Sequence, residues 1–178
     1  MKMKKAPTGE LLDRIRALYE RAFPKSEKKP FNLILDKCAE GSMQIYAITD
    51  DGEEFLGLAI FILEGRLALL DYLAIEEDKR GSGVGSAVIR EIGRMFPEKV
   101  LLLEIEDPEE NDADNTAERV RRFGFYTRLG LRPMPYKVWL FGVKMLIMTL
   151  GASVDFDEYH RVFINVFSKK TAKNVKLA

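Results

Sequence analysis

Residues 67–96 read LALLDYLAIEEDKRGSGVGSAVIREIGRMF, and the parsing of this stretch decides the fold. Leu67–Ile75 is apolar apart from Asp71 and matches a strand. The acids Glu76-Glu77-Asp78 end it, Lys79-Arg80 follow, and then comes Gly81-Ser82-Gly83-Val84-Gly85-Ser86. From about Gly83 to Phe96 the residues Val84, Val88, Ile92 and Met95 recur at helical spacing, with Arg90, Glu91 and Arg94 facing away. The glycines let the backbone take positive φ and come close to a ligand. The first N–H groups of the helix lack internal partners, and the helix dipole favours anions there. Arg80 adds a fixed positive charge. A strand, glycine loop and helix of this kind is suited to cradling a pyrophosphate.

Upstream, Met43–Thr49 and Glu54–Leu63 read as two further strands, separated by Asp50-Asp51-Gly52, with Glu64-Gly65 before Leu67. Such short turns imply an antiparallel meander. Leu11, Leu12, Ile15, Leu18, Tyr19 and Ala22 predict a first helix with Thr8 as N-cap and Pro24 as stop. Lys25–Lys29 is a charged loop, and a second helix runs from Pro30, at its first helical position, to Gly41. Downstream, Lys99–Glu106 is an apolar strand that turns polar at its far end. Asp107 to Glu118 reads as an acidic loop, followed by a helix over about Ala113–Leu129. Two or more strands occupy Leu131–Leu150, and a last helix spans about Phe156–Phe167. Lys169, Lys170, Lys173 and Lys176 read as a solvated tail. This order predicts a mixed α/β layer architecture whose sheet is partly antiparallel and partly parallel.

A length of 178 residues suits one domain, 1–178. Lys and Arg total 28 and Asp and Glu total 28, so the basic excess expected of a nucleic-acid binder is missing. One cysteine, Cys38, and one histidine, His160, rule out an internal disulfide and speak against the common metal sites and a Ser-His-Asp triad. No metal is expected. No apolar signal-peptide core follows Met-Lys-Met-Lys-Lys, and Val138 to Leu150 is too short for a membrane helix, so a cytoplasmic protein is expected.

Two rival phosphate sites can be weighed. A nucleotide P-loop needs a lysine that is missing here. A dinucleotide loop needs a third glycine where Ser86 stands, although Glu104 imitates its ribose-binding acid. The strand before the loop is also third in a meander, not first in a βαβ unit.

With these residues on the page, the chain resembles the GCN5-related N-acetyltransferase (GNAT) superfamily. Its signature [RQ]-x-x-G-x-[GA] is filled by Arg80, Gly83 and Gly85, within the element order of roughly Met43–Leu150. The resemblance implies a mostly antiparallel central sheet with a parallel, splayed strand pair and helices on both faces. It implies acetyl-CoA as co-substrate, with Leu73, Ala74 and Ile75 offering backbone groups to the pantetheine arm. Arg80 and the amides of Gly81, Ser82, Gly83, Val84, Gly85 and Ser86 would then hold the pyrophosphate. The thioester would lie between Leu67–Ile75 and Lys99–Glu106. A second match, Arg122 to Leu131, resembles the family's later motif and puts Tyr126 where a tyrosine often protonates the departing thiolate. Arg119 stands where many relatives have a cofactor-contacting asparagine.

The amine acceptor must lose a proton, and carboxylates are the natural bases in a chain with one distant histidine. Glu104 ranks first; Glu106 shares its strand face, together with Leu102. Asp71, an acid inside an apolar strand, is the third candidate. These acids could instead pair with Arg119, Arg121 or Arg122. The acidic residues Asp107, Glu109, Glu110, Asp112, Asp114 and Glu118 could attract a cationic acceptor, a small-molecule or peptide amine. The expected activity is transfer of an acetyl group to a primary amine by a monomer or homodimer, without nucleic-acid or membrane partners. The competing readings are a non-catalytic acyl-CoA sensor and a dinucleotide-binding oxidoreductase.

Overall fold

The computed structural model describes residues 1–5, 7–25, 27–110 and 115–178. It resolves into two compact units, residues 1–63 with 70–95, and residues 64–69 with 96–178.

The first unit holds β1 (Lys2–Lys5), α1 (Glu10–Ala22), α2 (Phe31–Ala39), β2 (Met43–Thr49), β3 (Phe55–Glu64), the later part of β4 (Leu67–Ile75) and α3 (Val84–Met95). Its strands lie in the order β1-β2-β3-β4. The expected meander is present, with Met43 opposite Ile62 and Ile48 opposite Gly57. Every residue from Phe55 to Ile62 is buried, the pattern of a strand covered on both faces. Ile15, Leu18 and Tyr19 of α1 and Phe31 and Ile34 of α2 complete the core.

Two details differ from expectation at the start. The basic opening is an edge strand, antiparallel to β2 with Lys2 opposite Thr49. Lys4 pairs with Glu53 at 2.9 Å, and the terminal amino group pairs with Asp51 at 3.0 Å, so the edge is held by charge and carries lysines that discourage further pairing. The cap of α1 is Gly9, at φ 58, rather than Thr8, and Pro30 caps α2 instead of opening it.

The second unit contains the first residues of β4, then β5 (Val100–Glu106), α4 (Thr116–Arg128), β6 (Arg132–Leu140), β7 (Val143–Leu150), α5 (Phe156–Val166), α6 (Lys169–Ala172) and β8 (Val175–Leu177). Strand order runs from the start of β4 through β5, β7 and β6 to β8. The Val100 amide donates to the Arg66 carbonyl at 2.9 Å, placing β5 beside the entry to β4. β5 pairs antiparallel with β7, Glu104 facing Ile147, and β6 and β7 form a hairpin through Phe141 and Gly142, both at positive φ.

The lysine-rich end is structured, which corrects the reading of it as a tail. Ser168 caps α6 by accepting from the Thr171 amide at 3.0 Å, and Val138 of β6 faces Leu177 of β8. Ala172 and Val175 are each 2% exposed, so the apolar residues between the lysines supply the packing that their charge pattern conceals. The expected start of α4 at Ala113 lies outside the described residues. The fold class is mixed α/β, a mostly antiparallel sheet with one parallel pair, β4 and β5, flanked by helices.

Candidate functional site

The glycine loop belongs to the first unit. β4 ends at Ile75, and the Glu76 amide still donates to the Leu56 carbonyl of β3 at 2.9 Å. Glu77–Lys79 then makes a single 3-10 turn, and Gly81 and Gly83 take φ of 75° and 86°. Among the described residues a Cβ added at either glycine would meet nothing within 4 Å, so backbone conformation rather than crowding demands glycine, and the space beside the loop is open. The first helical hydrogen bond of α3 runs from the Ala87 amide to the Gly83 carbonyl, 3.0 Å. The amides of Val84, Gly85 and Ser86 therefore come before the helix ladder begins and face its positive end. Residues 81–83 are exposed, as an anion cradle must be. Arg80, also exposed, folds back to donate from Nε to the Ile75 carbonyl at 3.1 Å. Lys79 ties the loop to the β2–β3 turn through Glu54 at 2.9 Å.

Leu73 and Ile75 are half-buried, and Ala74 is buried. Gly57 of β3 packs on this end of β4: a Cβ there would sit 2.2 Å from the Ala74 carbonyl oxygen and 3.1 Å from the Ile75 Cα. Gly57 was not among the expected site residues, although an isolated glycine inside a strand pattern is the mark of a close backbone approach.

Asp71, earlier in β4, is engaged. Both its carboxylate oxygens accept from Lys29 Nζ, at 2.7 and 3.0 Å, and its side chain is 5% exposed. Lys29 lies on the charged loop between α1 and α2.

The other candidates lie in the second unit. Glu104 and Glu106 fall on one face of β5 by alternation. Glu104 accepts a hydrogen bond from the hydroxyl of Tyr159, a fully buried residue of α5. Glu106 is held from α4 and its N-cap: Arg119 Nη2 at 2.7 Å, Asn115 Nδ2 at 3.0 Å and, more loosely, Arg122 Nη1 at 3.6 Å. Arg119 is thus turned toward Glu106, as the pairing alternative anticipated. Tyr126 lies in the last turn of α4 with its ring edge-on to Phe125 at 5.1 Å. Desolvation pushes its phenol above the usual tyrosine range, with Arg122 pulling in the opposite sense, so it stays protonated at neutral pH. The glycine loop and Asp71 therefore belong to one unit, and Glu104, Glu106 and Tyr126 to the other.

Of the acidic stretch, Asp107 is 1% exposed and pairs with Lys137 at 2.9 Å, while Glu109 also pairs with Lys137. Glu118 pairs with Arg122 at 3.1 Å. Asp112 and Asp114 lie outside the described residues. His160 stacks on Phe156 at 5.2 Å, and its Nε2 lies 2.8 Å from the Ala172 carbonyl oxygen, a contact that ties α5 to α6.

No protein-family model matches the sequence, and no curated protein matches it as a relative. Solved structures do match. A protein from Bacteroides thetaiotaomicron assigned to the GNAT family of acetyltransferases superposes with a TM-score of 0.78 at 18% identity, over 94% of this chain and 98% of its own. Spermidine N-acetyltransferase from Vibrio cholerae, in complex with CoA and spermine, gives 0.63 at 14% identity, over 83% and 94%. The ribosomal-protein-S18-alanine N-acetyltransferase of Escherichia coli gives 0.60 at 17%, over 87% and 99%. At these identities the likeness speaks for the architecture, and it spans nearly all of each partner. The chain has the fold of the GCN5-related N-acetyltransferases.

Proposed function

We propose that residues 1–178 form a cytoplasmic N-acyltransferase domain that moves an acetyl group from acetyl-CoA to a primary amine. The observation that carries this reading is the open cradle at Gly81 and Gly83, where positive φ, empty space and the unladdered amides of α3 coincide beside Arg80. This geometry fits a pyrophosphate, and Leu73, Ala74 and Ile75 would offer backbone groups to the arm that leads from it. A structural neighbour that holds CoA and spermine supports CoA as donor and an amine as acceptor.

In the reaction the amine nitrogen attacks the thioester carbonyl, the C–N bond forms, the C–S bond breaks and CoA leaves as thiolate. Backbone amides near Leu73–Ile75 polarise the carbonyl. Tyr126, kept protonated by desolvation, delivers the proton to sulfur. Glu104 takes the proton from the amine. Glu106 and Asp71 are each committed to a cation, which a proton acceptor would have to release. Glu104 accepts a hydrogen bond from the Tyr159 hydroxyl, a neutral donor that can reorient. The acceptor is a small-molecule or peptide amine in cationic form before it binds, and the protein works as a monomer or homodimer.

The test is release of free thiol when the purified protein is mixed with acetyl-CoA and a panel of amines. Arg80→Ala should weaken CoA binding; unchanged affinity would remove the donor site from the loop. Binding of acetyl-CoA without thiol release from any amine would favour a sensor. Thermal stabilisation by NAD or FAD, but not by CoA, would favour the oxidoreductase.

A further inference from the structure

We infer that Asp71 and Tyr72 form a primary-ammonium site on β4, filled in this structure by the side chain of Lys29, and that this site seats the nitrogen of the acceptor amine. The inference rests on the transferase reading above and names the part of β4 that recognises the acceptor.

The site has the chemistry that a primary ammonium requires. Lys29 Nζ is gripped by both Asp71 oxygens, at 2.7 and 3.0 Å, and lies 5.1 Å from the centre of the Tyr72 ring. A carboxylate supplies charge-assisted acceptors and an aromatic face supplies its quadrupole; together they select an alkylammonium over a neutral amine. Both partners are built in firmly. The Asp71 side chain is 5% exposed and Tyr72 is 5% exposed, with the Tyr72 ring wedged edge-on against Tyr19 at 4.8 Å and Phe23 at 4.9 Å.

Lys29 is seated by its backbone independently of its ammonium. Its amide donates to the Tyr72 hydroxyl at 3.0 Å, its carbonyl accepts from the Tyr19 hydroxyl at 2.9 Å, and Tyr72 in turn donates to the Glu27 carbonyl at 2.8 Å. The four-carbon stem can therefore swing away while the strap stays fastened. Its side chain is 22% exposed, so a path to solvent exists. An incoming amine would replace the lysine head without leaving Asp71 unpaired, and removal of a product amide, which carries no charge, would let Lys29 return. The tethered ammonium is a standing competitor at an effective concentration in the millimolar range or above. The site then favours acceptors whose charge and aliphatic stem resemble a lysine side chain.

The experiment uses the full chain with Lys29→Ala and n-butylammonium chloride, which restores the missing stem and head. Millimolar butylammonium should raise the melting temperature of Lys29→Ala, leave the native protein unmoved, and leave Lys29→Ala/Asp71→Asn unmoved. Tetramethylammonium should have no effect on any of them. With acetyl-CoA present, Lys29→Ala should acetylate butylamine at least about tenfold faster than the native protein at low amine, because the tethered competitor is gone. The isosteric Asp71→Asn gives a second measurement in case Lys29→Ala folds poorly. It should raise KM for butylamine about tenfold and leave kcat and the KM for acetyl-CoA within about twofold. Absence of butylammonium stabilisation in folded Lys29→Ala overturns the site. Stabilisation without acetylation, in a protein that acetylates other amines, overturns its acceptor role, and so does a collapse of kcat in Asp71→Asn at unchanged amine KM. Failure of the native protein to bind acetyl-CoA or to release thiol with any amine is a different result, and it sinks the transferase reading itself.

Discussion

Gly57 is where a single methyl group should both destabilise the protein and disturb donor binding. In Gly57→Ala the new Cβ would lie 2.2 Å from the Ala74 carbonyl oxygen and 3.1 Å from the Ile75 Cα. Comfortable carbon–oxygen contact needs roughly 3.2 Å or more, so β3 and β4 must part locally by about 1 Å. The obstructing atoms are backbone, and no rotamer change can relieve them. Overpacking of this kind costs about 1–3 kcal/mol, and the upper half of that range applies because the neighbours cannot yield. At about 2–4 °C per kcal/mol for a chain of this size, the melting temperature should fall by roughly 4–12 °C. The displaced residues, Ala74 and Ile75, are those proposed to hold the donor arm, so CoA affinity should fall by about tenfold or more, as expected when positioning shifts by an ångström. Differential scanning fluorimetry and CoA titration measure the two effects. Gly52→Ala is the control, because its Cβ comes no closer than 3.4 Å to any atom and the backbone there is not left-handed. A Gly57→Ala protein that melts with the native one would show that the two strands are not in rigid contact at this point.

Other changes probe the second unit. Asp107 is buried, which by itself would raise its carboxyl, but Lys137, the Glu109 amide and Lys144 outweigh burial and hold it below the usual carboxylate range. A folded value below the unfolded one means that its stabilisation is present above about pH 4 and lost as pH falls through the folded value. Asp107→Asn should cost about 2 kcal/mol at pH 7 in urea unfolding, and the difference from the native protein should shrink toward pH 3. Arg119→Ala leaves Glu106 without its main partner and should cost about 2–3 kcal/mol; replacement by lysine should recover only part of it, since the forked guanidinium also meets Asn115. Tyr126→Phe should lower kcat at least about tenfold with little change in CoA affinity, and equal turnover would remove its acid role. Val175→Asp should melt β8 from the edge of β6, readable as fast amide exchange at Trp139 and at Phe141, whose amide donates to the Asn174 carbonyl at 2.9 Å, because a residue 2% exposed cannot accept an unpaired charge.

How much of this was legible depended on the distance over which each cause acts. The turns at Gly52 and Gly65 and the strands between them are decided by neighbouring residues, and Met43–Thr49 and Leu67–Ile75 fall where alternation and turn chemistry put them. The glycine loop was legible for the same reason: positive φ at Gly81 and Gly83 and a helix start beside them are local properties. β1 and β8 were not, since nothing in Met-Lys-Met-Lys-Lys or in the lysines after Ser168 announces a strand. They become strands only because an edge of β2 and an edge of β6 are available to pair with. Thr8 had the side chain of a cap, but Gly9, at φ 58, could make the turn into α1.

The same holds for the candidate carboxylates of the two units, where the side chains that give each its character come mostly from far along the chain. Lys29 reaches Asp71 across 42 residues and Tyr159 reaches Glu104 across 55, whereas Arg119, only 13 residues from Glu106, was among the three arginines the sequence suggested. These partners differ in kind, and the difference separates the three candidate acids. A guanidinium fork fixes Glu106 to α4 and makes it a structural tie near Tyr126's helix. An ammonium on a flexible stem occupies Asp71 in a way that another ammonium could copy. Glu104 takes a hydrogen bond from a neutral phenol and is the proposed base. Exchange of the partners tests this division: Tyr159→Phe should alter kcat through Glu104, Lys29→Ala should alter amine KM through Asp71, and Arg119→Ala should alter stability. An effect of Arg119→Ala on amine KM as large as that of Lys29→Ala would mean that the acids share one role.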